Sequence, residues 1–535
     1  MISAKRDDWK ARGGTSERNP IGKEAMSMSR NSHSRTVSLR QVFPSSQIVG
    51  ADDIVCDCCL ANAEQHANDW VFAAGLDGES DSARDTIDAI NLGAKAILTE
   101  QLLPSSVPQC IVPDIREAYA RLCQELAGNP SEKMLTIAVV GTHGKTTAAL
   151  MVASMLKRIG NRVAYYTSLG ASDGKESGLS AYSDAEANQI AQWLSTSAKN
   201  ESPAAIIEMT DEMLRSHAAS GIEFDVILFT GLRKSQRADS LQARGIENGM
   251  HRLSTQLKQH GIIVYNADDA RLNRWIERHQ PHSISYGLDA VADVRGKRLS
   301  SLPGEQSMMI SAGTCVMPLT SLILGDHNAR HMLGAAAVGY AFGLELFEIV
   351  QGIERLQKIP GRLQRVADGG RCPVYIDSAD QADRLAVALH ALSKHGNPIT
   401  CVAEVPDAAT PEQLAAYGRV LERAASRVIL TQSRLSTQLG QKAVWQVLDG
   451  CERPSAIQVV PNREAAIELA VRGARAGDQI LLAGWGANRW TNCQTKAVRT
   501  DLECASTILA SLPAERIEQV NAAQLPGLRL FGGAA

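Results

Sequence analysis

The chain has 535 residues, 44% hydrophobic and 21% charged, which excludes a mostly disordered or collagen-like polypeptide and, at ~100–200 residues per domain, predicts about three domains. A formal net charge of −3 gives no global field for nucleic acid or an acidic membrane surface, and an aromatic content of 4% argues against a lectin-like or antibody-like binding face. No apolar run reaches the ~18–20 residues that span a bilayer, so neither a nucleic-acid partner nor a membrane span is expected.

Residues 1–39 are polar with scattered Lys and Arg and read as a disordered arm. The arm is either a functional tail or the product of a start site placed too far upstream. It lacks the continuous apolar core of a secretory signal. Residues 40–133 form the first globular block. Trp70–Ala74, Ala94–Leu98 and Cys110–Val112 are predicted strands, with helices at Ala83–Leu92 and Ile115–Leu126. The cluster Cys56, Cys58 and Cys59 has no second ligand pair after it. A structural zinc site usually needs one, so these read as reduced thiols in a packed segment and the compartment as a reducing, cytoplasmic one.

Residues 134–358 form the second block. Leu135–Val140 is a buried-strand run, and Ala204–Met209, Phe224–Phe229 and Gly261–Tyr265 are further apolar strands separated by helical stretches. The alternation predicts a doubly wound parallel sheet, closed by a long helix over Ala329–Phe342. Residues 359–515 repeat the alternation. Strands are predicted at Val374–Ile376, Ile399–Ala403, Arg427–Leu430, Ile457–Val460 and Gln479–Ala483, with helices at Pro411–Ala425 and Arg463–Arg472. This block resembles a dinucleotide-type sheet without its glycine fingerprint. Residues 516–535 are left as a tail.

Gly141, Thr142, His143, Gly144, Lys145, Thr146 and Thr147 follow the strand Leu135–Val140 and precede a helix. The general phosphate loop is G-x-x-x-x-G-K-[ST]; here Val139 stands at the first glycine, so the match is to the shorter G-x-x-G-K-T-T. Glycines let backbone N–H groups approach phosphate oxygens, and the helix N-terminus adds partial positive charge. Lys145 would bridge the β- and γ-phosphates, and the Thr146 hydroxyl would reach Mg²⁺. Glu208 ends a strand, where parallel sheets present ligand-facing residues, and could hold the same cation. The plainer alternatives are a tight strand-to-helix turn with an incidental lysine, and an ordinary acid at a helix start.

The order of these features, continued by Phe229-Thr230-Gly231-Leu232, Asn266-Ala267-Asp268-Asp269, Gly325-Asp326-His327-Asn328 and Pro360-Gly361-Arg362-Leu363, resembles the Mur ligases. The likeness covers roughly residues 40–510. It is nearest to the branch that adds the third residue to UDP-N-acetylmuramoyl-dipeptide. Trp70–Gly78 is similar to that family's uridine-nucleotide domain, which the folylpolyglutamate synthetase branch lacks. The resemblance implies three α/β domains: a UDP-substrate domain, a central P-loop ATPase with a doubly wound parallel sheet, and a C-terminal dinucleotide-like lobe. It implies ATP and Mg²⁺ as cofactors, with a UDP-muramoyl peptide and an amino acid as partners. The family reaction forms an acyl phosphate that an amine attacks, with release of ADP and phosphate. On this likeness Lys145, Thr146 and Glu208 are phosphate and Mg²⁺ ligands, and Asn328 is an adenine-side residue. Arg362 reaches ATP from the third domain, and Asp377 binds the ribose. Singly, Arg362 also reads as a surface ion-pair residue, Asn328 as a helix N-cap and Asp377 as a strand terminus.

Departures from the family fall on chemistry. The pattern Thr-Asn-Leu-x-x-Asp-His reads Thr230-Gly231-Leu232-Arg233-Lys234-Ser235-Gln236, so Gln236 replaces a metal-binding histidine. A lysine that is carbamylated in the family falls on Met250, which cannot form a carbamate and is a poor ligand for Mg²⁺. Thr-Thr-Pro-Asp reads Ala181-Tyr182-Ser183-Asp184, and Glu-x-Ser-Ser-His reads Glu208-Met209-Thr210-Asp211-Glu212. Asp-Tyr-Ala-His reads Asp377-Ser378-Ala379-Asp380, Asp-Asn-Pro-Arg reads Ser433-Arg434-Leu435-Ser436, and Gly-Lys-Gly-His-Glu reads Gly484-Trp485-Gly486-Ala487-Asn488. Acyl-phosphate formation brings anionic groups together, and loss of one preorganised donor typically costs ~10²–10³ in rate. Three expectations follow: a divergent protein that binds Mg-ATP with ligation impaired or lost, an active ADP-forming ligase with a rebuilt site using Asp211 or Glu212, and an unrelated P-loop ATPase.

Overall fold

The computed structural model describes residues 35–62, 70–76, 82–158, 162–179, 186–232, 241–299, 304–366, 372–394, 396–407, 409–432, 437–475, 477–492, 495 and 497–512. Of the positions singled out above, 1–34, Asp77, Gly78, Ala181–Asp184, Arg233–Gln236, Ser433–Ser436 and 516–535 lie outside the described residues. Two compact units divide the chain, Met1–Ile359 and Pro360–Ala535.

The first unit opens with a five-stranded sheet of β1 (Gln47–Val49), β2 (Cys58–Leu60), β3 (Trp70–Ala73), β4 (Ala96–Thr99) and β5 (Gln109–Ile111), in the order β1-β5-β4-β3-β2. Helices α1 (Ser82–Asn91) and α2 (Ile115–Leu126) connect and cover it. The Asp114 side chain accepts from the Glu117 N–H and caps α2. Val37 and Leu39, read above as part of the arm, are buried in the same core as Tyr119 and Leu122 of α2. Cys56 and Cys59 are buried in this core as well. Burial pushes the Cys56 thiol up to about 12 and raises Cys59, which keeps both protonated and unreactive.

The second sheet has eleven strands, in the order β9-β8-β7-β10-β6-β11-β12-β13-β14-β15-β16. They are β6 (Leu135–Val140), β7 (Val163–Thr167), β8 (Gly170–Asp173), β9 (Ser177–Leu179), β10 (Ala204–Glu208), β11 (Phe224–Phe229), β12 (Leu257–Asn266), β13 (Ser283–Gly287), β14 (Val294–Arg298), β15 (Gln306–Ala312) and β16 (Cys315–Ser321). The seven strands from β7 to β14 in that order pair in parallel, and antiparallel strands extend both edges. The sheet is therefore mixed rather than purely parallel. The β14–β16 ribbon alternates buried positions with half-buried or exposed ones, as expected where one face is less covered than the other. Strands β6, β10 and β11 are almost wholly buried, and helices cover both faces: α3 (Lys145–Arg158), α4 (Ala187–Lys199), α5 (Asp211–Arg215), α6 (Leu241–Ser254), α7 (Ala270–His279), α8 (Asp326–Ala341) and α9 (Leu346–Glu354). Helix α8 begins a turn before the expected Ala329. Gly325 is its N-cap and Asp326 lies in its first turn, a favourable place for a carboxylate. Asn328 is thus inside the helix and does not cap it. No helix among the described residues is long and apolar enough to cross a membrane.

The second unit contains a six-stranded sheet, β17-β18-β22-β19-β20-β21. Its strands are β17 (Gln364–Arg365), β18 (Val374–Asp377), β19 (Ile399–Glu404), β20 (Arg427–Thr431), β21 (Gln458–Val459) and β22 (Gln479–Ala483). All pair in parallel except the β17 edge. Helices α10 (Ala382–Ser393), α11 (Pro411–Ala424), α12 (Gln438–Asp449) and α13 (Arg463–Gly473) alternate with the strands, and α14 (Asp501–Ser511) follows a small hairpin. A buried ion pair ties α13 to α14. Arg463 Nε and Nη2 each donate to an Asp501 oxygen at 2.7 Å, Trp490 Nε1 donates to Asp501 Oδ1 at 2.9 Å, and Arg463 Nη2 also reaches the Ala483 carbonyl at 3.2 Å. Their side chains are only 4% and 0% exposed. Removing one partner of such a pair leaves an uncompensated buried charge. Arg463→Met is therefore expected to destabilise the second unit by about 3–5 kcal/mol, read as a lowered midpoint in chemical denaturation of the full chain.

Candidate functional site

Strand β6 lies between β10 and β11. Its Val139 pairs with Glu208 and its Val140 with Phe229, so the carboxyl ends of all three strands come out level. The loop after β6 is held from the β11 side. Thr230 Oγ1 donates to the His143 carbonyl at 2.6 Å and to the Val140 carbonyl at 3.2 Å, and the Thr142 N–H donates to the Gly231 carbonyl at 3.0 Å. A side chain at Gly141 (φ 150°) would place its Cβ 2.1 Å from Thr230 Oγ1. Gly144 has φ 75°, and a Cβ there would sit 2.0 Å from the His331 ring. Both positions accept only glycine, and α3 starts immediately after them.

Lys145 opens α3. Its Nζ donates to the Gly141 carbonyl at 2.8 Å and lies 3.7 Å from Asp211 Oδ1. The Thr146 hydroxyl donates to Glu208 Oε1 at 2.8 Å and is 3.0 Å from Ser168 Oγ, while the Ser168 N–H donates to Glu208 Oε2 at 2.9 Å. Thr146, Thr147 and Glu208 are buried. Thr146 and Glu208, singled out from separate stretches of sequence, thus meet at the start of α3. Ser168, just past β7, was not visible in sequence because only strand pairing brings it there. The hydroxyl and carboxylate oxygens are hard donors of the kind Mg²⁺ prefers, and such a cation is commonly held by one or two carboxylates plus phosphate oxygens. Among the described residues no group of three or more His, Cys, Asp or Glu is placed to hold a metal by itself.

Helix α8 covers the loop from the side. Asn328 is buried and donates to the Leu324 carbonyl at 2.7 Å. One turn on, His331 is 7% exposed with its ring against Gly144, and its Nδ1 has no hydrogen-bond partner among the described residues. Burial, with His327, Arg330 and His143 close by, holds its pKa down to about 3, so the ring is neutral. Arg330 donates to Asp268 Oδ2 at 2.7 Å and to Asp289 Oδ2 at 2.6 Å. Burial opposes ionisation of Asp268, but the N–H groups of Ala290 and Leu288 and the Arg330 guanidinium outweigh it and hold the carboxyl below the usual range. Asp269 Oδ2 accepts from the Leu232 N–H at 2.6 Å, and Asn266 donates to the Thr230 carbonyl at 3.2 Å. The Asn266–Asp269 motif thereby braces the turn that braces the loop.

The remaining two positions lie in the second unit. Asp377 ends β18, and its Oδ2 accepts from the Leu363 N–H at 2.8 Å. Burial raises its carboxyl above the usual range, against the pull of Arg362 and the N–H groups of Leu363 and Ala379. Gly361 (φ 64°) approaches the Gly484–Ala487 loop so closely that a Cβ would lie 2.3 Å from the Ala487 nitrogen. Arg362 and Asp377 are therefore brought together.

Met250 is fully buried (0% exposed) in an apolar cluster with Met213, Leu253, Phe229 and Trp275. Asp211 and Glu212 occupy the first turn of α5, capped by the Thr210 hydroxyl, and Glu212 pairs with Arg215 at 2.9 Å.

Residues 139–339 match the Mur ligase middle domain and residues 361–486 match the Mur ligase, glutamate ligase domain. The UDP-N-acetylmuramoyl-L-alanyl-D-glutamate--2,6-diaminopimelate ligase of Xylella fastidiosa (strain Temecula1) is 27% identical over 452 residues, covering 80% of this chain and 88% of its own. Its counterpart in Chromobacterium violaceum is 28% identical over 425 residues, covering 76% and 85%. A solved UDP-N-acetylmuramoyl-L-alanyl-D-glutamate--2,6-diaminopimelate ligase superposes with a TM-score of 0.67 at 20% identity, over 89% of this chain and 99% of that one. The MurF ligase from Thermotoga maritima in complex with ADP gives 0.56 at 15% identity, over 84% and 96%. With two of the family's domains matched in order, and with three α/β sheets of the same architecture, the chain belongs to the Mur ligase family.

Proposed function

We propose that this chain binds Mg-ATP at Gly141–Thr147 and belongs to peptidoglycan precursor synthesis in the cytoplasm, with its muropeptide ligase chemistry impaired or lost. The observation that carries the nucleotide half is the Thr146–Glu208 hydrogen bond at the start of α3, next to a loop whose Gly141 carbonyl holds the Lys145 ammonium. In this reading Lys145 neutralises phosphate charge and the α3 N-terminus supplies backbone donors. Thr146 and Glu208 hold the cation, with Ser168 keeping the carboxylate in place. Bound Mg-ATP would supply an activated phosphoryl group. Asn328 serves the base.

The impairment half rests on the acceptor side. The position that the family resemblance gives to a carbamylated lysine is a methionine inside an apolar cluster, and Glu212, where the resemblance puts a histidine, is engaged with Arg215. One observation favours the second reading, an active ADP-forming ligase that joins an amino acid to a UDP-muramoyl peptide or related acid: the Asp211 carboxylate stands beside Lys145, where it could take part in a rebuilt site.

Purified protein with ATP, Mg²⁺, UDP-muramoyl peptides and a pool of amino acids is expected to release no ADP above its substrate-free rate. Substrate-stimulated ADP release with a new amide product would overturn the impaired reading and establish the second. Lys145→Ala is expected to weaken ATP binding by at least about 30-fold, the scale for removing one partner of a charge pair, with an unchanged far-UV spectrum; equal affinity would remove the loop assignment. Gly144→Ala is expected to weaken binding to a similar degree, since the new methyl group must displace the His331 ring.

A further inference from the structure

We propose that Asp211 is a displaceable counter-ion of Lys145 that makes nucleotide binding conditional on a divalent cation. The inference rests on the Mg-ATP reading above. The side chain of Lys145 is 14% exposed and that of Asp211 50%, so the amine is set into the loop while the carboxylate reaches it from the solvent side. Among the described residues the ammonium has near it the Gly141 carbonyl at 2.8 Å and Asp211 Oδ1 at 3.7 Å. Asp211 is held at this height by the turn that carries Glu208. The Thr210 hydroxyl accepts from the Met213 N–H and starts α5 only three residues after the Glu208 strand end. Two carboxylates therefore flank one amine and one hydroxyl.

This arrangement has a definite electrostatic consequence. A polyanionic triphosphate arriving at Lys145 competes with Asp211 for the ammonium and meets a like charge within a few ångströms, at a half-exposed site where charges are only partly screened. A divalent cation carried on the phosphate oxygens reverses the sign of that encounter. The carboxylate that repels bare nucleotide attracts the metal-bound form. Glu208 cannot play this part in the same way, because both of its oxygens are already engaged by Thr146 and Ser168. The Lys145–Asp211 contact is longer than a hydrogen bond and open to solvent, so it is cheap to break.

The test is calorimetric titration of the full chain with ATP in EDTA and with ATP in excess Mg²⁺, for the natural sequence, Asp211→Asn and Asp211→Ser. Both variants are expected to bind metal-free ATP about threefold to tenfold more tightly than the natural sequence. Their Mg-ATP affinity is expected to stay equal or fall, so the ratio of the two dissociation constants shrinks. A ratio unchanged in both variants, or loss of binding in both conditions, would overturn the role of Asp211 while leaving the loop assignment standing. If the natural sequence binds ATP in neither condition, the Mg-ATP reading itself falls and this inference falls with it.

Discussion

Parallel pairing of β6 with β10 on one side and β11 on the other is the constraint from which the site follows. Side chains alternate faces along a strand, so a slip of one residue would send Glu208 to the opposite face of the sheet. The pairing of Glu208 with Val139 and of Phe229 with Val140 prevents that, because all three strands are buried on both faces and any slip would misplace a whole apolar set. The Thr146–Glu208 hydrogen bond is the local result. A helix-start hydroxyl and a strand-end carboxylate, far apart in the chain, meet because two ladders share a register. The turn after β11 uses the same alignment, and Thr230 and Gly231 bind the loop backbone that β6 delivers.

Helix α8 shows how one element serves core and site together. From Met332 to Val338 it is buried throughout, as a helix enclosed on every side must be. Its first turns carry Asn328, Arg330 and His331 instead. Arg330 ties the helix to Asp268 and Asp289 beyond β12 and β13, and so fixes where His331 meets Gly144. Burial leaves that imidazole uncharged, so it shapes the loop without adding to its positive potential. The positive potential comes from Lys145 and from the amide groups at the start of α3.

Strands dominated by apolar residues were legible in the sequence to the residue: Leu135–Val140, Phe224–Phe229 and Gln479–Ala483 are strands with those bounds in the structure. The glycine loop was legible for the same reason, since strand, loop and helix are contiguous. What sequence could not supply were contacts made by tertiary pairing. Ser168 reaches Glu208 only because β7 lies beside β10, and His331 reaches Gly144 only because α8 packs on α3. The β14–β16 ribbon escaped notice because its buried apolar positions alternate with half-buried or exposed ones and form no continuous buried run. Val37 and Leu39 were swallowed by the polar composition before them, although two apolar side chains suffice once α2 is there to receive them.

The proposed division between an intact phosphate side and an altered acceptor side has a counterpart in packing. Thr146 and Ser168 satisfy the Glu208 carboxylate with short polar contacts, and Lys145 is held by the Gly141 carbonyl beside them. Met250 belongs to a different kind of environment. Met213, Leu253, Phe229 and Trp275 surround it within one apolar cluster, and an ammonium group introduced there would lose its hydration with no polar partner in that cluster to replace it. The methionine is therefore not an isolated replacement in an otherwise waiting site. Its neighbours on α5, α6 and α7 form a core around it, so restoring a lysine at position 250 by itself would work against the fold before it could serve any chemistry. The half-exposed carboxylate of Asp211 at the start of α5 is by contrast no member of that apolar cluster, and this separation is what allows the charge beside Lys145 to differ without disturbing the sheet that positions it.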